Sequence, residues 1–224
     1  MAAAVAFAVL SVFAVVVVPL GPGTDRSGSE VVDHITAHAG MIRLQVLLSV
    51  CALLAAAVVF GHARERLDGP AGYLFTIGAA VLIAQVGIQM WFSAGLALHP
   101  GSLDPAVARI LSDIASMFGP LLTVAAILLA GPVVWAGRRG RFPRWMALIA
   151  AVFVVEQFVE VLTIIGPVGS FIAPGGPMTL FGGGVLFGVF IFALGMSLGL
   201  TEPDPQLQPE PVPRPAEADQ FTSP

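Results

Sequence analysis

The chain contains no lysine and one cysteine, and only 11% of its 224 residues are charged. A soluble domain carries about a quarter charged residues. The missing charge is absent from long blocks rather than thinned evenly along the chain. Cys51, alone, can form no intramolecular disulfide, and a Cys-based zinc or iron–sulfur site lacks ligands. It reads as a small apolar packing residue. There is no Walker-type loop and no polybasic patch, so nothing points to nucleic acid or to capture of anionic lipid. The formal charge of −4 is not a property of the whole surface: Glu202, Asp204, Glu210, Glu217 and Asp219 against Arg214 place all of it after residue 200. Arginine in place of lysine, with abundant Ala, Gly and Val, is the usage of a GC-rich genome and points to a bacterial source.

What is present is apolar: 57% of residues, with mean hydropathy +0.91. Runs of about 18 or more such residues read as membrane-spanning helices. Six occur, at about 2–20, 44–61, 73–97, 114–136, 145–166 and 178–200. A transmembrane barrel would alternate apolar and polar residues, and these runs do not. The expected fold class is all-α, a polytopic membrane bundle of six transmembrane helices in contact with the lipid bilayer. The first run lacks the basic start and short core of a signal peptide, so it is expected to be a retained helix. Residues 201–224 hold seven of the eighteen prolines and no apolar periodicity. They are expected to form a disordered, Pro- and acid-rich tail.

Arginine asymmetry predicts orientation. Arg64, Arg66, Arg138, Arg139, Arg141 and Arg144 fall in the second and fourth connections, against Arg26, Arg43 and Arg109 in the alternate ones. Both termini are then cytoplasmic, in a bacterial plasma membrane, with Trp135 and Trp145 at the interface beside the arginine-rich loop. Two outer connections turn helical before their spans. One has Ser29 as N-cap with Glu30 in its first turn; the other has Asp104 before Pro105. Pro120 and Pro132 should kink the fourth span.

Ionisable groups inside spans are rare and mark functional sites by default. "VFVVEQFVEVLTII" places Glu156 and Glu160 on one face of the fifth span, about 16 and 22 Å from Trp145 at 1.5 Å rise per residue. Gln85 and Gln89, with Ser93 beyond them, form a similar stripe on the third span. Arg43 and Asp113 lie at the mouths of the second and fourth spans. The expectation is an outward-opening polar cavity of Glu156, Glu160, Gln85, Gln89, Arg43 and Asp113, closed beneath by apolar packing. Each acid also has a plainer role as a protonated packing residue, or paired with Arg43, and each amide as interhelical glue. His34 and His38 are one turn apart, with Glu30 a further turn back, and are weak candidates for metal ligands or a pH-sensitive pair. No cofactor is indicated.

The last span carries Gly184/Gly188 and Gly195/Gly199, spacings that allow close helix approach within the chain or, in a sharper reading, a homodimer. "GRRGRFPRWMALIAAVF" and "EVVDHITAHAGMIRLQVL" resemble segments of small six-helix integral membrane proteins of actinobacteria whose function is uncharacterised. The resemblance implies the fold and no activity. Rhomboid-like and CAAX-type protease patterns are not matched, so an enzyme is the less favoured class. The sequence supports binding or transport of a small solute or proton; the alternative is a non-transporting scaffold or sensor.

Overall fold

The computed structural model of the chain describes residues 1–200, and the expected tail, 201–224, lies outside the described residues. Among the described residues there is no strand. Seven α-helices follow one another: α1 (Ala2–Val16), α2 (Gly28–Arg64), α3 (Gly69–Leu96), α4 (Pro105–Ser116), α5 (Phe118–Arg138), α6 (Arg144–Glu160) and α7 (Gly184–Leu200). A 3₁₀ stretch, Val161–Ile165, extends α6, and a π-helical turn, Met178–Gly183, leads into α7.

Five of the six expected spans have a helix long and apolar enough to cross a membrane: Gly28–Arg64, Gly69–Leu96, Pro105–Arg138, Arg144–Ile165 and Met178–Leu200. The first does not reach that length. It has 15 residues, about 22 Å at 1.5 Å per residue, and stops where Pro19 disfavours helical backbone at the residue before it.

Local chemistry explains where the helices begin. α2 starts at a capping box: Ser27 Oγ accepts from Glu30 N–H, while the Ser27 N–H donates to Glu30 Oε2 at 2.8 Å. The cap is thus Ser27 rather than Ser29, because only Ser27 stands three residues before the glutamate. From there α2 runs unbroken for 37 residues, so the expected outer helix continues directly into the span. The equivalent pair α4 and α5 is broken at Met117. Asp104 caps α4, accepting from the N–H groups of Ala106 (2.9 Å) and Val107 (3.1 Å), with Pro105 behind it. Pro120 has no N–H to donate to the carbonyl of Ser116 and its ring crowds that carbonyl. It therefore sits in the first turn of a new helix instead of kinking an old one. Pro132 alone lies inside α5.

The helices pack through small residues, as membrane helices do when lipid offers no hydrophobic drive between them. Gly78 of α3 lies against the backbone of Leu128 and Leu129, Gly137 of α5 against Ala147 of α6, and Gly195 of α7 against Ala4 of α1. A side chain at any of these would overlap its neighbour. Gly199 meets Met1 in the same way, so the pair 195/199 is used within the chain. Gly188 has nothing within 4 Å, and the nearest neighbour of Gly184 comes from its own turn. Cys51, expected in the packing, is exposed on α2.

One end of the bundle gathers the arginine-rich connections. Arg141 donates to Asp68 at 2.6 Å, joining the α2–α3 loop to the α5–α6 loop, and Arg66 donates to the Leu198 carbonyl at 3.0 Å. Leu67 and Phe142 plug this end, and Arg139 lies 3.7 Å over the Trp135 ring. Met1 and Gly199 are here too. The main core, which includes Phe75, Leu129, Val133, Met146, Phe153, Phe190 and Leu194, fills the bundle above them. A smaller cluster of Val31, Ile35, Ile42, Ala97 and Ala108 holds the opposite end together.

Backbone contact at Gly78 gives a direct check. Gly78→Val should destabilise the purified protein by about 1–3 kcal/mol through overpacking, read as a lower melting temperature in detergent. Gly87→Ala, where nothing lies within 4 Å, should leave stability level or raise it by up to about 1 kcal/mol. Equal effects at the two sites would refute the close approach of α3 and α5.

Candidate functional site

The end opposite the arginine-rich loops contains a cavity of about 470 Å³. α3, α4, α5 and α6, the π-helical turn and the 20–22 segment all contribute to its wall. The polar part comprises Gln89, Ser93, Ser112, Ser116, Gln157, Glu160 and Thr179. Phe153 and Phe187 close it on the core side, their ring centroids 6.2 Å apart, and Phe190 stacks on Phe153 at 5.0 Å. Among the described residues that line it, Glu160 is the only ionisable one.

Glu160 ends the α-helical part of α6 and is 3% exposed, as is Gln157 one turn before it. The Gln157 amide N–H₂ donates to Glu156 Oε2 at 2.7 Å and to Glu160 Oε2 at 3.0 Å. One amide thus clamps both carboxylates from the same helix. The other oxygen of each is unpartnered: Glu156 Oε1 is buried without a hydrogen bond, and no described donor reaches Glu160 Oε1. No described cation lies within ion-pair distance of either acid.

Two glycines make room for the Glu160 carboxylate. A Cβ on Gly183 would overlap its oxygens, and one on Gly119 would lie 2.9 Å from Oε1 while overlapping the Thr179 methyl. Gly182 faces Glu156 Oε1 at 3.5 Å from where its own Cβ would be. α5 and the π-helical turn are therefore glycine where they meet the acids. Both segments next to the site depart from α geometry, the 3₁₀ stretch directly after Glu160 and the π turn facing it. π-helical turns are frequent at functional sites. Thr179, on that turn, has its hydroxyl buried with no hydrogen-bond partner.

The residues expected from the sequence separate into two groups. Glu160 and Gln89 line the cavity, with Ser93; Glu156 joins through Gln157. The remaining three lie elsewhere. Gln85 donates to the Leu121 carbonyl at 3.4 Å and so ties α3 to α5, the glue role. Asp113 accepts from Arg109 Nε at 3.0 Å. Arg109 in turn donates to the carbonyls of Arg26 and Thr24, and this strap fastens α4 to the α1–α2 loop. Arg43 is exposed on α2 with no described partner, so it is not the counter-charge of either glutamate.

The metal candidates do not converge. Glu30 is held by Ser27 in the capping box, and His38 Nδ1–H donates to the His34 carbonyl at 2.9 Å. The two rings lie 4.6 Å apart, yet no group of three metal-ligating side chains forms among the described residues. Gln157 was missed in the sequence. Its signal is its spacing, since a residue three before Glu160 shares its helix face.

No family model, curated protein or solved structure matches this chain.

The cradle predicts coupling. Gly183→Ala should lower the melting temperature in the native background and much less in a Glu160→Ala background, with an interaction energy of about 0.5–3 kcal/mol in the double-mutant cycle. Simple additivity would show that Gly183 and Glu160 do not meet.

Proposed function

We propose that this membrane protein binds a small solute or a proton in its polar cavity, as a carrier or carrier subunit, with Glu160 the principal acceptor. The observation that carries this reading is a buried acid that lines an open volume with no described cation beside it: Glu160 is 3% exposed and lines the cavity. An isolated ionised carboxylate in an apolar interior costs many kcal/mol. Charge balance must therefore come from a proton or from a bound cationic group entering the cavity. Gln157 fixes the acid's orientation, and Glu156 is a second acceptor on the same amide. Gln89 and Ser93 supply polar contacts on the facing wall.

The same proposal includes orientation and setting. The arginine-rich end faces the cytoplasm by the positive-inside rule, and the cavity faces outward. The membrane is a bacterial plasma membrane, in keeping with the actinobacterial proteins that the sequence resembles. The Gly184/Gly188 pair of α7, where nothing lies within 4 Å of Gly188, is a candidate contact for a second copy.

Two measurements test the reading. In liposomes with an entrapped pH dye, the native protein should admit protons under an imposed gradient, and the double variant Glu156→Gln/Glu160→Gln should fall to the leak of empty vesicles. Undiminished flux in the double variant, or native vesicles no leakier than empty ones, removes proton handling. For orientation, single cysteines are introduced in a Cys51→Ala background. Ser102→Cys should react with a membrane-impermeant maleimide added to intact cells, and Arg138→Cys only after permeabilisation. The reverse pattern inverts the topology.

A further inference from the structure

The chemistry of the cavity wall narrows the ligand class further, on the premise that the cavity is the binding site. A proton needs no space, and 470 Å³ lies within the ~300–1,000 Å³ range of pockets that enclose small organic molecules. A bare divalent metal would need some six oxygen ligands in close array. Here a single carboxylate lines the wall, and no described set of three metal-ligating side chains exists. An anion would meet that carboxylate with no described arginine or histidine on the wall to oppose it. A sugar would leave its hydroxyls against Phe118, Leu122, Phe153 and Phe187, which make much of the wall apolar.

We propose that the ligand is a small organic cation with an apolar body: its ammonium group sits on Glu160, and the body lies against Phe118, Leu122, Phe153 and Phe187. An ammonium group carries three donors. The unpartnered Oε1 of Glu160 can accept from one of them; it lies 2.9 Å from the position that a Cβ on Gly119 would take, beside the Thr179 methyl. The acid at one side and the aromatic floor at the other thus recognise two parts of one molecule. The Gln157 clamp leaves Glu160 Oε1 free for the purpose, since both of its bonds go to Oε2 atoms.

The test uses the full chain in lipid nanodiscs and equilibrium binding of three probes: phenethylammonium, its neutral isostere 2-phenylethanol, and sodium ion. Phenethylammonium should bind saturably. The neutral isostere should bind at least about tenfold more weakly, the difference expected for a lost charge-assisted hydrogen bond. Glu160→Gln should weaken phenethylammonium by a similar factor. The comparison of charged and neutral probes on the native protein needs no variant to fold. Equal binding of the two isosteres, or phenethylammonium binding unchanged in Glu160→Gln, overturns the proposal. If phenethylammonium fails while Glu160-dependent proton flux or sodium binding is found, the organic-cation assignment falls and the cavity reading stands. If none of the three ions shows dependence on Glu160, both fall.

Discussion

A carboxylate deep in an apolar bundle, with no described cation beside it, is the constraint around which the cavity end of this protein is arranged. Glu160 can be neither hydrated as in water nor neutralised by an arginine among the described residues. What surrounds it compensates in other ways. A buried amide, Gln157, holds one oxygen; glycines at 119 and 183 leave room for the group; a 3₁₀ segment follows it and a π-helical turn faces it. The glycines and the buried acid are unfavourable on their own. Glycine weakens a helix by roughly 0.5–1 kcal/mol relative to alanine, and a carboxylate resists transfer from water. Their concentration at one place is what separates a site from packing.

The other half of the molecule provides the rigidity that such a site requires. Toward the arginine-rich end the helices touch through Gly78, Gly137 and Gly195, and the interior between them is filled by Phe75, Leu129, Met146, Phe153 and Phe190. Phe153 belongs to both regions. It is one turn from Gln157 on α6, forms part of the cavity floor, and stacks on Phe190 in the core. The polar cavity is therefore built directly on the hydrophobic core, with no flexible segment in between.

Above the cavity the chain is tied by local polar contacts rather than by a second large core. Arg109 links α4 to the carbonyls of Thr24 and Arg26 and is itself steadied by Asp113. The 20–22 segment that this strap positions is part of the cavity wall. Asp113 thus contributes to the site by holding its rim, not by facing the ligand. The histidine pair on α2 stands beside the same segment, with His34 Nε2 3.8 Å from the position of a Cβ on Gly21.

Much of this was legible in one dimension, because membrane physics writes itself in long runs. Span positions, the shared end of the arginine-rich loops, the Asp104–Pro105 cap and the one-sided stripe of Glu156 and Glu160 follow from hydropathy, composition and the 3.6-residue period alone. The length of α1 was misjudged, since apolar residues past Val16 continue the run although Pro19 ends the helix. Partner choice was not legible. Periodicity places a side chain on a face, but which face meets which is settled by helix rotation and by backbone close approach. So Gln85 went to the Leu121 carbonyl, Asp113 to Arg109 and Arg43 to the surface, while Thr179, Gly119 and Gly183 came to the acid from segments about 20 to 40 residues away. The sequence by itself determined the medium and the strip of polar residues; only tertiary packing decided that Glu160 would face an open volume without a counter-charge.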